Sequence, residues 1–273
     1  MNLLPLALYI AAAAAYSVHF MRGDRRSGRF ATAGLAAAAL AHTFVIGMKT
    51  MALGYAPIAG TTAAVTAFVW LLALAYLYIE ITTDERTMGA FIVPLMAALQ
   101  IIPALTPDTD EVRSAVLRTP LFTLHVASML FAYASFALAC VIGITYVLLF
   151  KEIKGKDVGF FYRRLPPLAR LDVMNERAVR IGWLFLTAGV AIGAFWALRA
   201  RDTYSDPRVQ AMTIVDPKIL VALVCWAVYS FQLVARRFGL SGRQAALLSA
   251  VGFAIVLLNF VPVGYFLTRS HNF

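Results

Sequence analysis

Histidine is the side chain in this sequence best suited to chemistry. Only four occur among 273 residues: His19, His42, His125 and His271. Three of them, His42, His125 and His271, fall at or near the outer half of what reads as a membrane-spanning bundle. An imidazole surrounded by hydrocarbon is costly without a partner, so each is a functional-site candidate. Several imidazoles contributed by separate helices suit axial ligation of haem iron. Other chemistries lack their signatures. There is no His-x-x-x-His, no Walker loop, no Gly-x-Ser-x-Gly and no clustered carboxylates of a hydrolase or metalloprotease.

The elements that must position these residues are apolar helices. The chain is 61% hydrophobic and only 14% charged, with a mean hydropathy of +0.77. A soluble domain carries about a quarter charged residues. Eight apolar runs, near 3–20, 30–50, 61–80, 90–106, 121–150, 181–199, 219–236 and 245–268, are each long enough to cross a bilayer as a helix. The alternating segments of a membrane β-barrel are absent. The expected fold is therefore all-α, a polytopic membrane bundle of about eight helices, with residues 1–273 forming a single integral membrane domain. The first run lacks a basic stretch before it and is followed by arginines, so it reads as a retained span.

The net charge of +10 does not signify nucleic acid, because its distribution is one-sided. Alternate loops carry 16 Lys and Arg on one face, from Arg22 to Arg29, at Arg86, between Lys151 and Arg180, and from Arg236 to Arg243. The other face carries 8. The positive-inside rule makes the first face cytoplasmic and puts both termini outside. The expected location is a bacterial cytoplasmic (inner) membrane, with lipid as a constant partner.

His19 lies near the inner end of span 1 and reads as interfacial. His42 sits about twelve residues into span 2, near or just outside the midplane; a hydrogen bond to a neighbouring helix and a cofactor role compete there. His125 opens span 5 and His271 follows span 8 at the same outer surface, so the two could flank one iron. Arg208 and Lys218, on the same side, could pair with the carboxylates of such a group. Span 5 also carries a small stripe, His125, Ser128, Ala132, Ser135 and Ala139, that suits close helix packing. Span 6 carries a Gly189-x-x-x-Gly193 face of the same kind. Leu168–Arg180 is basic and amphipathic and reads as a separate elbow helix on the anionic leaflet. Asp216-Pro217 reads as a helix start. Cys140 and Cys225 differ in depth by about 18 Å, too far for a disulfide.

Several stretches, taken in order, resemble one known family: Leu40-Ala-His42-Thr-Phe and Tyr55-Ala-Pro57-Ile; Met88-Gly-Ala-Phe-Ile-Val-Pro94; Leu124-His125-Val-Ala-Ser128 with Tyr133; Leu165-Pro-Pro-Leu and Arg180-Ile-Gly182; Asp216-Pro217-Lys218 with Trp226 and Tyr229; and Asn259-Phe260 with Ser270-His271. Together they resemble the CcsA/ResC-type cytochrome c assembly proteins, including their HemX-like and YpjD-like branch, over nearly the whole length. In the synthase members the resemblance implies a membrane haem held by two histidines and an external haem site whose two histidines flank a tryptophan-rich segment. His42 matches the first membrane histidine; His125 and His271 match the external pair. The chain departs from the pattern at three places. Gln210–Val215 before Asp216 holds no tryptophan, Val234 stands where the second membrane histidine is expected, and small residues fill Gly60–Ala63. These departures favour the HemX/YpjD-like branch and a non-enzymatic role. The resemblance implies a haem-handling membrane protein of cytochrome c maturation or haem trafficking, with haem b as cofactor and a cytochrome c biogenesis or haem-synthesis protein as partner. Two alternatives are a regulator of haem biosynthesis acting on glutamyl-tRNA reductase through the inner loop, and a small-molecule transporter.

Overall fold

A computed structural model describes residues 2–58, 60–106, 118–156, 159–204, 210 and 216–258. The described residues form eight helices and no strand: α1 (Leu3–Arg22), α2 (Arg25–Leu53), α3 (Thr61–Thr83), α4 (Gly89–Leu105), α5 (Pro120–Gly155), α6 (Leu168–Thr203), α7 (Pro217–Arg237) and α8 (Gly242–Leu258). Six are long and apolar enough to cross a membrane; α4 and α8 are apolar helices of 17 residues. At 1.5 Å per residue those two reach about 25 Å, the lower limit for a span. The chain is a multi-pass, all-α membrane protein.

Local chemistry sets the helix ends. The Asp24 carboxylate accepts the Ser27 amide at 2.7 Å and starts α2, and that bond holds its carboxyl below the usual range. Thr119 caps α5 with Pro120 following, and Asp216 caps α7 with Pro217 following, as its sequence predicts. Gly23 and Gly54 close α1 and α2 at φ 69° and 75°, a left-handed backbone that suits glycine.

Packing divides the bundle into two halves. In one, α1 lies against α2 and α4, and α3 closes the square; in the other, α5 and α6 pack along their length with α7 and α8 alongside. α3 joins the halves through α5 and α6. The basic segments converge at one face, as the charge asymmetry requires. There Arg86 and Arg25 meet Asp84, Arg236 meets Asp172, and Arg177 and Arg170 donate to the carbonyls that end α3.

Leu168–Arg180 is not a separate elbow. It is the first third of the continuous helix α6, with Leu171, Met174, Ala178 and Val179 buried. Its basic residues bind the ends of neighbouring helices rather than lying flat on lipid, and Asn175 reaches the Ala139 carbonyl at 2.8 Å. The two cysteines are free. Phe136 and Tyr229 stack face to face with centroids 3.7 Å apart, which fixes the α5–α7 register. Cys140 lies one turn past that stack and Cys225 one turn before it, so their depths differ by about 12 Å rather than 18 Å, still too far to bridge.

Close approach in the second half depends on glycine. A Cβ on Gly143 would sit 2.7 Å from the Ala246 carbonyl oxygen of α8, a backbone atom that cannot rotate away. Gly143→Val is therefore expected to lower stability by about 2 kcal/mol. Gly47→Ala meets open space and should be neutral or stabilise by up to about 1 kcal/mol. Unfolding midpoints in detergent check this pair; equal midpoints would contradict the tight α5–α8 contact.

Candidate functional site

His125 lies in the second turn of α5, on the face opposite the arginine cluster. The start of α5 is clamped to α6: the Trp196 indole donates to the Thr119 hydroxyl at 3.0 Å, and Phe122 packs on Trp196 with centroids 5.2 Å apart. The imidazole itself rests on Gly193, where a Cβ would fall 2.5 Å from Nδ1. This absence of a side chain lets Nδ1 reach the Gly189 carbonyl at 2.8 Å. A carbonyl only accepts, so Nδ1 carries the proton, and in the neutral ring the lone pair lies on Nε2. That is the tautomer of a metal-ligating imidazole oriented by a backbone carbonyl. The Gly189-x-x-x-Gly193 face is thus the seat of a histidine as well as a helix contact, with Met129 occupying Gly189.

His42 is in the other half of the bundle and is fully buried. Tyr9 of α1 shares a hydrogen bond with its Nδ1 at 3.1 Å, and the rings meet edge-on. Its Nε2 is buried with no hydrogen-bond partner among the described residues. An orphaned imidazole nitrogen is compatible with ligation, so His42 fits haem by its donor atom. The companion position does not fit. Val234 is 55% exposed on α7, and α7 packs against α6 and α8 while His42 belongs to α2 against α1 and α3. The buried polar side chain of that stretch is Gln232, bonded to Ser249 and the Ala245 carbonyl.

Lys218 opens α7, its amide bonded to the Asp216 carboxylate at 2.9 Å. Trp226 donates to Thr187 at 2.9 Å, which sets α7 against α6. By that register Lys218 lies within about one helical turn, roughly 5 Å in depth, of the His125 seat. His125 and Lys218 therefore share a face and a level on either side of α6, whereas His42 is separate from both. His271 and Arg208 lie outside the described residues. His19, near the arginine face, bonds through Nδ1 to the Asp24 carbonyl and Ser27, in keeping with an interfacial role. All four tryptophans donate to hydroxyls, three within helices and one at the cap of α5.

Sequence reasoning missed three buried polar groups. Glu80, taken as the end of a span, is fully buried; Tyr16 donates to it at 2.6 Å and Thr32 at 2.5 Å, with Arg86 bonded to Thr32. The signal was a carboxylate directly following an unbroken apolar run. Asn175, Gln232 and Ser249 form a second network between α6, α7 and α8, and Gln100 of α4 is buried with neither amide atom paired among the described residues.

The Tyr9–His42 pair yields a direct test. His42→Ala is expected to cost about 2–3 kcal/mol through the cavity and the stranded Tyr9 hydroxyl. Tyr9→Phe should cost about 1 kcal/mol. Denaturant midpoints for both single variants and the double variant should give a coupling of roughly 0.5–1.5 kcal/mol. Strict additivity would mean the bond contributes nothing.

With this geometry in place, comparison with known proteins identifies the lineage. The protein from Heterosigma akashiwo named cytochrome c biogenesis protein CcsA is 28% identical over 239 residues, covering 74% of this chain and 72% of its own. Proteins of the same name from Trieres chinensis and Gloeothece citriformis are 23% and 24% identical, covering 84% and 99% of this chain and 81% and 93% of their own. These matches support the wider family resemblance and do not reach the HemX-like subdivision. The profile of the cytochrome C assembly protein family matches residues 58–271, and the chain belongs to that family.

Proposed function

We propose that this protein handles haem within a membrane during cytochrome c maturation, with haem b as the group bound. The observation that carries the reading is the seat of His125. Its Nδ1–H is held by the Gly189 carbonyl, so the lone pair lies on Nε2 and the ring is oriented before any ligand arrives. His271 is the proposed second axial ligand, and Lys218 and Arg208 the proposed partners of the haem carboxylates. Bound haem would supply the iron and the reactive vinyl edge of the porphyrin; the residues named here hold and orient it. His42 is assigned to packing with Tyr9 rather than to this external site. The family relatives named for cytochrome c biogenesis support the same reading, and a cytochrome c assembly factor is the proposed protein partner.

This role requires the His125 face to lie on the outer, non-cytoplasmic side, in a bacterial inner membrane or its equivalent. The convergence of Arg86, Arg163, Arg170 and Arg236 on the opposite face supports that orientation. Reporter fusions after Arg164 and at the C-terminus are expected to report opposite compartments. The same compartment for both would overturn the eight-span orientation.

The haem site has a spectroscopic test. Protein purified from haem-replete cells should show a Soret band with low-spin, bis-imidazole features. His125→Ala and His271→Ala should each shift that spectrum, and added imidazole should restore it. Val234→His should leave it unchanged, because that side chain faces away from His42. Loss of the spectrum in His42→Ala alone, with His125→Ala unaffected, would move the site into the membrane interior.

A further inference from the structure

A cleft of about 680 Å³ opens at the arginine face, between the end of α1 and the segment that follows α5. Its lining includes Arg22, Arg163 and Arg164, with His19, Phe20 and Phe160 beside them, and no carboxylate among the described residues. Arg164 lies over Phe160 at 4.6 Å from the ring centroid and near Phe20 at 5.9 Å. The two rings fix the guanidinium plane and leave its N–H edge for an oxyanion. The nearby acids among the described residues are already engaged, Glu85 by the Thr87 amide and hydroxyl. Asp24 caps α2 through the Ser27 amide, Asp84 binds Arg86, and Glu152 accepts the Phe161 and Tyr162 amides and so shapes the cleft wall. The ion pairs of the described residues use Arg25, Arg86, Arg180 and Arg236, and none uses Arg22, Arg163 or Arg164. Phe160 is 54% exposed beside these charges.

Three guanidiniums with an exposed aromatic rim, at the level where α1 leaves the apolar layer, match a phosphate carried on an apolar body. We propose that this cleft binds the headgroup of an acidic phospholipid. Arg163 and Arg164 take the phosphate, Arg22 adds charge from the α1 end, and Phe20 and Phe160 cover the glycerol and the first acyl carbons. The inference stands on the cleft alone and does not depend on haem.

The test uses the full-length protein in a non-ionic detergent. Short-chain phosphatidylglycerol, short-chain phosphatidylcholine and inorganic phosphate are titrated separately, with bound lipid counted by native mass spectrometry and the unfolding midpoint followed in parallel. Phosphatidylglycerol is expected to bind at least about tenfold tighter than phosphatidylcholine. R163Q/R164Q should reduce that preference to within about twofold, while R180Q, whose guanidinium pairs with Glu176 on the same face, should retain it. If the double variant does not fold, R163Q alone should lower the preference about threefold. An undiminished preference in the folded variants, or no preference in the wild type, would overturn the proposal. Inorganic phosphate matching the lipid's effect would also overturn it, in favour of a soluble anion.

Discussion

The approach of α5 to α6 constrains more of this molecule than any other contact. Three glycines on α6 make it possible. Gly182 receives the ring of Phe136, Gly189 receives Met129, and Gly193 receives His125, each at a distance that leaves no room for a Cβ. Without a hydrophobic driving force between helices in lipid, such interlocking contacts supply the association. They also set consequences in order along the pair. Phe136, seated on Gly182, stacks a ring face on Tyr229 of α7. Tyr229 in turn fills the space over Gly252 of α8 and donates to the Ser249 carbonyl. At the far end, the same seam delivers the His125 imidazole to a backbone carbonyl.

The two halves of the bundle solve the problem of buried polarity differently. In the first, α1 presents Tyr9 and Tyr16 along one buried face, and each meets a single polar residue, His42 and Glu80. In the second, Asn175, Gln232 and Ser249 bond one another and two carbonyls, one of them on α5, tying four helices together. Buried polar groups in lipid are costly unless paired. These networks therefore specify which helices neighbour which. His125 is of another kind: its Nδ1 is satisfied by the backbone carbonyl of Gly189 on the helix it rests on, rather than by a polar side chain.

Much of this was legible from residues. The apolar runs gave the helices, the lopsided Lys and Arg gave the common face, and Asp216-Pro217 gave the start of α7. The glycine pair on α6 announced a close contact, but not its occupant. His125 and Gly189 are 64 residues apart, and no local pattern encodes that register. Leu168–Arg180 misled because a basic amphipathic stretch has the same composition on a lipid surface and against other helices; Leu171, Met174 and Val179 decide for the latter by being buried. Glu80 was hidden because a carboxylate after an apolar run is the ordinary mark of a span ending. Only the hydroxyls of Tyr16 and Thr32, from other helices, reveal it as an interior group.

The proposed haem site rests on the glycine seat of His125 preparing an iron ligand. Electron paramagnetic resonance of the ferric, haem-loaded protein tests it most directly, in the wild type and in Gly193→Ala. The added methyl crowds the imidazole from its carbonyl without removing it. A low-spin, bis-imidazole signal is expected in the wild type, with its displacement or conversion to high spin in a variant of unchanged helicity. Identical spectra in the two proteins, or no low-spin signal in the wild type, would contradict it.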